Sequence, residues 1–185
     1  MNKLNLGCGF RKEEGFINID NDPNVNPDFL VSLGVDSLPF KNNTFEEVIA
    51  SHILEHIGTG YLFLFKELYR VCKHGAIIHI IVPHHRSDWF YDDPTHIRPI
   101  TSNSFQLFSK KYTLDHIKKY GSSNGISLKE NIDFEIIEVK HRYNSYWEHK
   151  FKFMTKEDIQ QIISEKNNVI IEEYIKLTVI KDKNE

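Results

Sequence analysis

A chain of 185 residues, 40% apolar and 12% aromatic, is long enough to bury one proper core and short for two. Its 23 Lys and Arg against 26 Asp and Glu leave a net charge of -3, which argues against general attraction to nucleic acid or to an anionic membrane. Two cysteines, Cys8 and Cys72, build neither a disulfide framework nor a metal motif, and no apolar run approaches membrane-spanning length, so the expectation is a single soluble domain, residues 1–185, in the cytoplasm.

Strand-like stretches at Lys3–Leu6, Phe16–Asp20 and Phe29–Leu33 follow one another quickly, with connections rich in Gly, Asn, Asp and Pro, so the first crossover is stunted. A further strand at Glu47–Ser51 leads through a loop into a helix over Tyr61–Cys72, where Leu62, Phe65, Leu68, Tyr69 and Cys72 recur at helical spacing. Lys73, His74 and Gly75 signal the end of that helix. The unbroken run AIIHIIVP, Ala76–Pro83, reads as a central strand covered on both faces. His84–Pro99 has no apolar period and reads as a long loop. Short helices are expected at Ser102–Ser109 and Leu114–Tyr120, the second capped by Thr113, before SSNG breaks the chain. Asp133–Tyr143 and Val169–Ile180 read as a closing strand pair, and between them Thr155 with Asp158 opens a helix over Lys156–Glu165. The polar tail after Ile180 is expected to fray. Strands alternating with helices and ending in an antiparallel pair specify an α/β fold on a mainly parallel sheet.

Chemistry gathers where such strands end, because ligands of an open α/β sheet sit beyond the carboxyl ends of its strands. Gly7-Cys8-Gly9 closes the first strand, Asp20 the second, Ser51-His52 the fourth and His84-His85 the fifth. A glycine turn after a buried strand admits a ligand that a side chain would push away. Asp20 can accept from both hydroxyls of a ribose. Dinucleotide binding would need a third glycine where Lys12 stands, so an NAD-linked oxidoreductase is set aside, and without a Gly-Lys-Ser/Thr motif the nucleoside carries no phosphate chain to cradle. Cys8 reads as a small space-filler, and His56 and His79 as structural.

The segments LNLGCG, GFINIDND, DSLPFKNNTFEEVIASHILEHI and DPTHIRPITSNSF, in that order from Leu4 to about Phe105, resemble class I S-adenosylmethionine-dependent methyltransferases, particularly small members with a truncated first crossover. The resemblance implies a Rossmann-like three-layer sandwich with a mainly parallel seven-stranded sheet and a C-terminal antiparallel pair. It implies S-adenosylmethionine as cofactor, with Gly7, Cys8 and Gly9 along the methionyl part, Asp20 on the ribose, Asn21 beside it, Leu38 against adenine and His52 near the sulfonium. Glu55 and His56 would open the next helix. Relatives carry an acid after the third strand where this chain has Gly34; Asp36 either replaces it or caps a turn.

The loop HHRSDWFYDDPTHIR leaves the end of a central strand and is expected to handle the acceptor. Methyl transfer from a sulfonium is an in-line displacement needing alignment and, for a hydroxyl or amine, a base. His85, Asp93 and His96 are the candidates for base and orienting groups, Trp89 and Tyr91 for walls, and Arg98 for an anchor; each could instead only shape the loop. His84, His85, Asp88, Asp92, Asp93 and His96 are also metal-ligand types at close range, but with no recognised spacing no metal is assigned. The expected activity is methyl transfer to a small-molecule or saccharide-type acceptor at oxygen, by a monomer or homodimer. The alternatives are an inactive cofactor-binding sensor or activator subunit and a nucleic-acid methyltransferase, the last disfavoured by charge although Lys110, Lys111, Lys118 and Lys119 cluster.

Overall fold

Leu4 and Leu6 turn to one side of the first strand, Lys3 and Asn5 to the other, and this alternation sets the architecture. The computed structural model of the chain describes residues 2–182. Seven strands form one sheet: β1 (Lys3–Leu6), β2 (Ile17–Asp20), β3 (Phe29–Leu30), β4 (Phe45–Ser51), β5 (Cys72–Pro83), β6 (Phe134–Tyr143) and β7 (Ile170–Val179). Their order is β3-β2-β1-β4-β5-β7-β6, parallel as far as β5 and antiparallel at β5–β7 and β7–β6. This is the expected Rossmann-like sheet with its terminal antiparallel pair.

The β1–β2 connection contains no helix, as its composition implied. Side-chain amides hold it instead. Asn5 Nδ2 donates to Asn18 Oδ1 at 2.9 Å inside the sheet, and the same oxygen accepts from Glu13 N–H at 2.9 Å. Asn18 Nδ2 donates to Phe16 O at 2.9 Å. Two buried asparagines thus satisfy backbone groups that a crossover helix would satisfy internally.

One face of the sheet carries the core. Leu4, Leu6, Val48, Ala50, Ile78, Ile80, Ile175 and Leu177 pack with Leu64, Phe65 and Leu68 of α1 (Tyr61–Val71) and with Phe105, Phe108 and Phe134. The opposite face is half-exposed, the β1–β2 connection supplying no helix and the β2–β3 connection only a 3-10 turn, Pro23–Val25: Lys3, Glu47, Ile49, Ile77, His79, Ile81, Tyr174 and Lys176 lie along it. Polar pairs take the place of a second apolar layer there, with Lys3 Nζ 2.7 Å from Glu47 and His79 Nδ1 2.6 Å from Tyr174 Oη.

Several expectations shift. The first helix stops at Val71 and Cys72 already belongs to β5, because Phe45 pairs with Cys72. The register then jumps to Glu47 with Ile77, and Gly75, φ +75°, lies in the resulting bulge rather than at a helix end. β3 is two residues long, since Ser32–Asp36 curls into a turn in which Val35 and Asp36 N–H both donate to Ser32 O. The expected loop contains one helical turn, α2 (Asp88–Tyr91), capped by Ser87. Ser102–Phe108 is a 3-10 helix, and α3 (Lys110–Tyr120) is capped by Ser109, not Thr113, which is buried inside it against Ser127. Beyond α4 (Ile126–Lys129), an unexpected helix, α5 (Ser145–Phe151), precedes α6 (Lys156–Glu165), which opens at Thr155 as read from its capping pair. The frayed tail is held at least as far as Lys181, whose N–H donates to His74 Nδ1; residues 183–185 lie outside the described ones.

Candidate active site

The ends of β1, β2 and β4 converge on one cavity of about 530 Å³, lined by Gly7, Asp20, Asn21, Val31, Ser32, Leu33, Val35, Ile53, His56, Ile57 and Gly58. That size suits a nucleoside-sized ligand. Gly7 stands at φ +58°, and a Cβ there would lie 2.5 Å from Ile53 Cγ1, so both its dihedral and its surroundings require glycine. Gly9, φ +50°, has open space around it and donates its N–H to Asp20 Oδ2 at 2.8 Å. Asp22 N–H donates to Asp20 Oδ1 at 3.0 Å. The carboxylate is therefore fixed by two backbone donors while each oxygen keeps acceptor capacity toward the cavity. Cys8 is buried beneath the turn, and burial followed by the neighbouring Asp20 pushes its thiol pKa up, which fits the space-filler reading.

Of the expected cofactor residues, Gly7, Asp20 and Asn21 line this cavity, whereas Cys8, Gly9, Asp36, Leu38 and His52 do not. Leu38 is in the core, its N–H donating to Glu67 Oε2 at 2.7 Å, and does not line the cavity. Asp36 accepts from Ser32 N–H at 2.8 Å, the turn-capping option, and does not line it either. Gly34 explains why no acid follows β3: its φ is +79°, and a Cβ would meet Ile57 at 3.0 Å and the Gly60 carbonyl at 3.1 Å.

A second, more open cavity of about 620 Å³ adjoins the first and shares His56 with it; its lining is His52, His56, Pro83, Trp89, Asp92, Asp93, Pro94 and His96. His52 has φ +52°, a conformation that costs a non-glycine residue about 1 kcal/mol. Its ring lies between two acids, Nδ1 3.5 Å from Glu55 Oε1 and Nε2 2.9 Å from Glu172 Oε1, and these hold its pKa above the ordinary histidine range. Asp93 Oδ1 accepts from both N–H (2.8 Å) and Oγ1 (2.6 Å) of Thr95, which lowers its pKa. His96 Nδ1 donates to Phe90 O at 2.8 Å while its ring stacks on Phe90, leaving Nε2 3.8 Å from Asp93 Oδ2.

The structure thus brings Asp93, His96 and Trp89 together and leaves the other loop candidates apart. His85 does not line the cavity; its ring lies against His84, and its buried Nδ1 has no hydrogen-bond partner among the described residues. Tyr91 is exposed on the outside, its hydroxyl 3.4 Å from His85 O. Arg98 is a tie rather than a free anchor: Nε donates to Ile57 O at 3.3 Å, Nη2 to Gly58 O at 3.1 Å, and the guanidinium covers the Tyr61 ring at 4.7 Å. Glu55 and His56 form a 3-10 turn (Leu54–His56) and do not open α1. Sequence reading missed the role of Glu55, which is fully buried and whose carbonyl accepts from Ile97 and Arg98 N–H, binding the loop to the end of β4. Its one sequence signal was its place beside His56 after β4.

His84, buried at the end of β5, has its pKa lowered to about 4 by burial, then by His85, with Glu173 opposing and His141 and Arg86 adding to the shift. A folded-state pKa below the unfolded one gives stability that is present above pH 6.5 and lost as pH falls toward 4, of order 2 kcal/mol. The thermal midpoint should therefore drop on acidification from pH 7 to 4.5, and drop less in His84→Gln. Equal drops in both proteins would remove His84 from the account.

Comparison with known proteins agrees with this fold. A sequence model of the methyltransferase domain matches residues 14–80. No curated protein matches the chain. Among solved structures, a SAM-dependent methyltransferase from Archaeoglobus fulgidus superposes with TM-score 0.56 at 19% identity, over 96% of this chain and 85% of that one. A SAM-dependent methyltransferase from Methanosarcina mazei superposes with TM-score 0.58 at 14% identity, over 98% and 93%. The [4+2]-cyclase SpnF does so with TM-score 0.58 at 13% identity, over 98% and 76%. Residues 14–80 of this chain thus match the methyltransferase domain, and the whole described chain has the fold that S-adenosylmethionine-dependent methyltransferases share.

Proposed function

We propose that the domain moves the methyl group of S-adenosylmethionine onto an oxygen of a small-molecule or saccharide-type acceptor. The second cavity carries this reading. Its lining combines an aromatic wall, Trp89, with imidazoles and carboxylates and includes no lysine or arginine, which suits a neutral polyhydroxyl acceptor and is a poor match for phosphates. Its junction with the first cavity at His56 leaves a path for in-line attack.

On this reading Asp20 accepts from the ribose hydroxyls, Asn21 stands beside it, and Gly7 and Gly9 admit the methionyl part, with His52 on the acceptor side. The acceptor oxygen attacks the methyl carbon, the C–S electrons pass to sulfur, and the hydroxyl proton goes to one of the groups around the junction. Neither fold nor domain selects the acceptor, as the cyclase on the same scaffold illustrates.

Incubation with S-adenosylmethionine and a panel of sugars, polyols, phenols, oligonucleotides and tRNA, read as S-adenosylhomocysteine formed, tests the reading. Turnover is expected with hydroxylated small molecules, and Asp93→Asn should lower kcat by roughly 100-fold while cofactor binding persists. Turnover only on nucleic acid would overturn the acceptor class. Cofactor binding without turnover on any acceptor would favour a sensor or activator subunit.

A further inference from the structure

Glu55 has no exposed surface, and neither of its carboxylate oxygens has a hydrogen-bond partner among the described residues. A carboxylate buried in this way is costly unless a cation or a set of donors faces it. Imidazoles face it: His52 Nδ1 at 3.5 Å and His96 Nε2 at 3.9 Å, both beyond hydrogen-bonding range in this geometry. One donor atom from each of Glu55, His56 and His96 lies within 4.8 Å of the others.

The hydrogen bonds around these rings fix which nitrogens remain available. Phe90 O can only accept, so His96 Nδ1 carries the proton and Nε2 a lone pair. Thr95 Oγ1 gives its own proton to Asp93 Oδ1 and must accept from His56 Nδ1, which leaves His56 Nε2 in the same state. Imidazoles held through Nδ1 by a carbonyl or a carboxylate relay, with Nε2 bare, match the outer-shell pattern of metal-binding histidines. We propose that Glu55, His56 and His96 hold a divalent transition-metal ion of the zinc class where the two cavities meet. Two imidazoles and one carboxylate form a ligand set that suits such ions and leaves at least one coordination position open. The 4.8 Å spread exceeds the roughly 3.4 Å between ligands at bond lengths of about 2.1 Å, so loading draws the rings inward.

Both histidines line the second cavity, so an ion held by them would be within reach of an acceptor there. Here the inference rests on the methyl-transfer reading. An ion held there would make a nearby acceptor hydroxyl more acidic, and Asp93 would take its proton as the oxygen attacks the methyl carbon and the C–S electron pair stays on the sulfur of S-adenosylhomocysteine.

Metal binding is measured on tag-free, chelator-treated protein without cofactor or acceptor, by cobalt(II) absorption and by zinc competition, with magnesium as control. One cobalt ion per chain is expected, with the visible bands of four- or five-coordination, displaced by zinc and not by magnesium. His56→Ala and the near-isosteric Glu55→Gln should weaken it by about 100-fold or more, and His149→Ala, on an exposed helix, should leave it unchanged. Circular dichroism checks that each variant folds. Absence of stoichiometric cobalt or zinc binding, or binding that both His56→Ala and Glu55→Gln leave intact, would overturn the site. A separate titration with S-adenosylmethionine keeps the two readings distinguishable, since intact cofactor binding beside failed metal binding removes only the metal.

Discussion

Gly60→Ala is expected to destabilise the domain by about 3 kcal/mol and to remove measurable S-adenosylmethionine binding. A Cβ at Gly60 would lie 1.8 Å from the Gly34 carbonyl oxygen and 2.4 Å from its carbon. Both are backbone atoms, so no side chain can swing aside. Helix propensity predicts the opposite sign, because alanine at the start of α1 would reduce the freedom of the unfolded chain by about 0.5–1 kcal/mol. The close approach holds the Ser32–Asp36 turn against the segment before α1, and Ser32, Leu33, Val35, Ile57 and Gly58 from these two stretches line the first cavity, where we propose the cofactor binds. Urea unfolding and calorimetric titration read the two effects together. An unchanged or raised midpoint would show that the two segments can separate freely.

Asp20→Ala should lower affinity for S-adenosylmethionine by roughly 100-fold or more, the loss expected when two hydroxyls forfeit a charged acceptor. The change also frees Gly9 and Asp22 N–H, so the glycine turn loses its internal brace. Asp20→Asn, which keeps one acceptor oxygen, should fall between. Titration with S-adenosylmethionine, S-adenosylhomocysteine and NAD in parallel reads this. Wild-type affinity in Asp20→Ala, or binding of NAD in place of the sulfur compounds, would withdraw the ribose assignment.

Local patterns carried much of the fold. Lys3–Leu6 and Lys156–Glu165 match their observed bounds because alternation in one and a capping threonine in the other act within a few residues. That Gly7, Asp20 and Asn21 line one cavity was legible for a related reason: strand ends of a parallel sheet share one edge, so the topology brings them together. Features that depend on distant partners were hidden. Cys72 joins β5 because Phe45 pairs with it, which no local signal near Lys73–Gly75 announces. α5 buries no residue, so it has no apolar stripe to read. In the site, Arg98 and Asp36 look like ligand anchors until their backbone acceptor and donor are known. His84 and His85 are neighbours in sequence, yet neither lines the cavity that His96 reaches by stacking on Phe90. Glu55 was the hardest, since an acid after a strand reads as solvated until its full burial is seen.

The strand order also orders the assembly of the molecule in time. β1 can join β4, and β4 can join β5, as soon as Pro83 has left the ribosome, but the outer edge of β5 waits for β7, where Ile77 meets Thr178 and Ile81 meets Tyr174. Until then the apolar run from Ala76 to Val82 offers unpaired N–H and C=O groups, the template on which nascent chains cross-pair. Slowing translation over the segment between β6 and β7 prolongs that exposure, so the fraction recovered folded from the cell should depend on synthesis rate and chaperone supply more than on the stability of the finished domain.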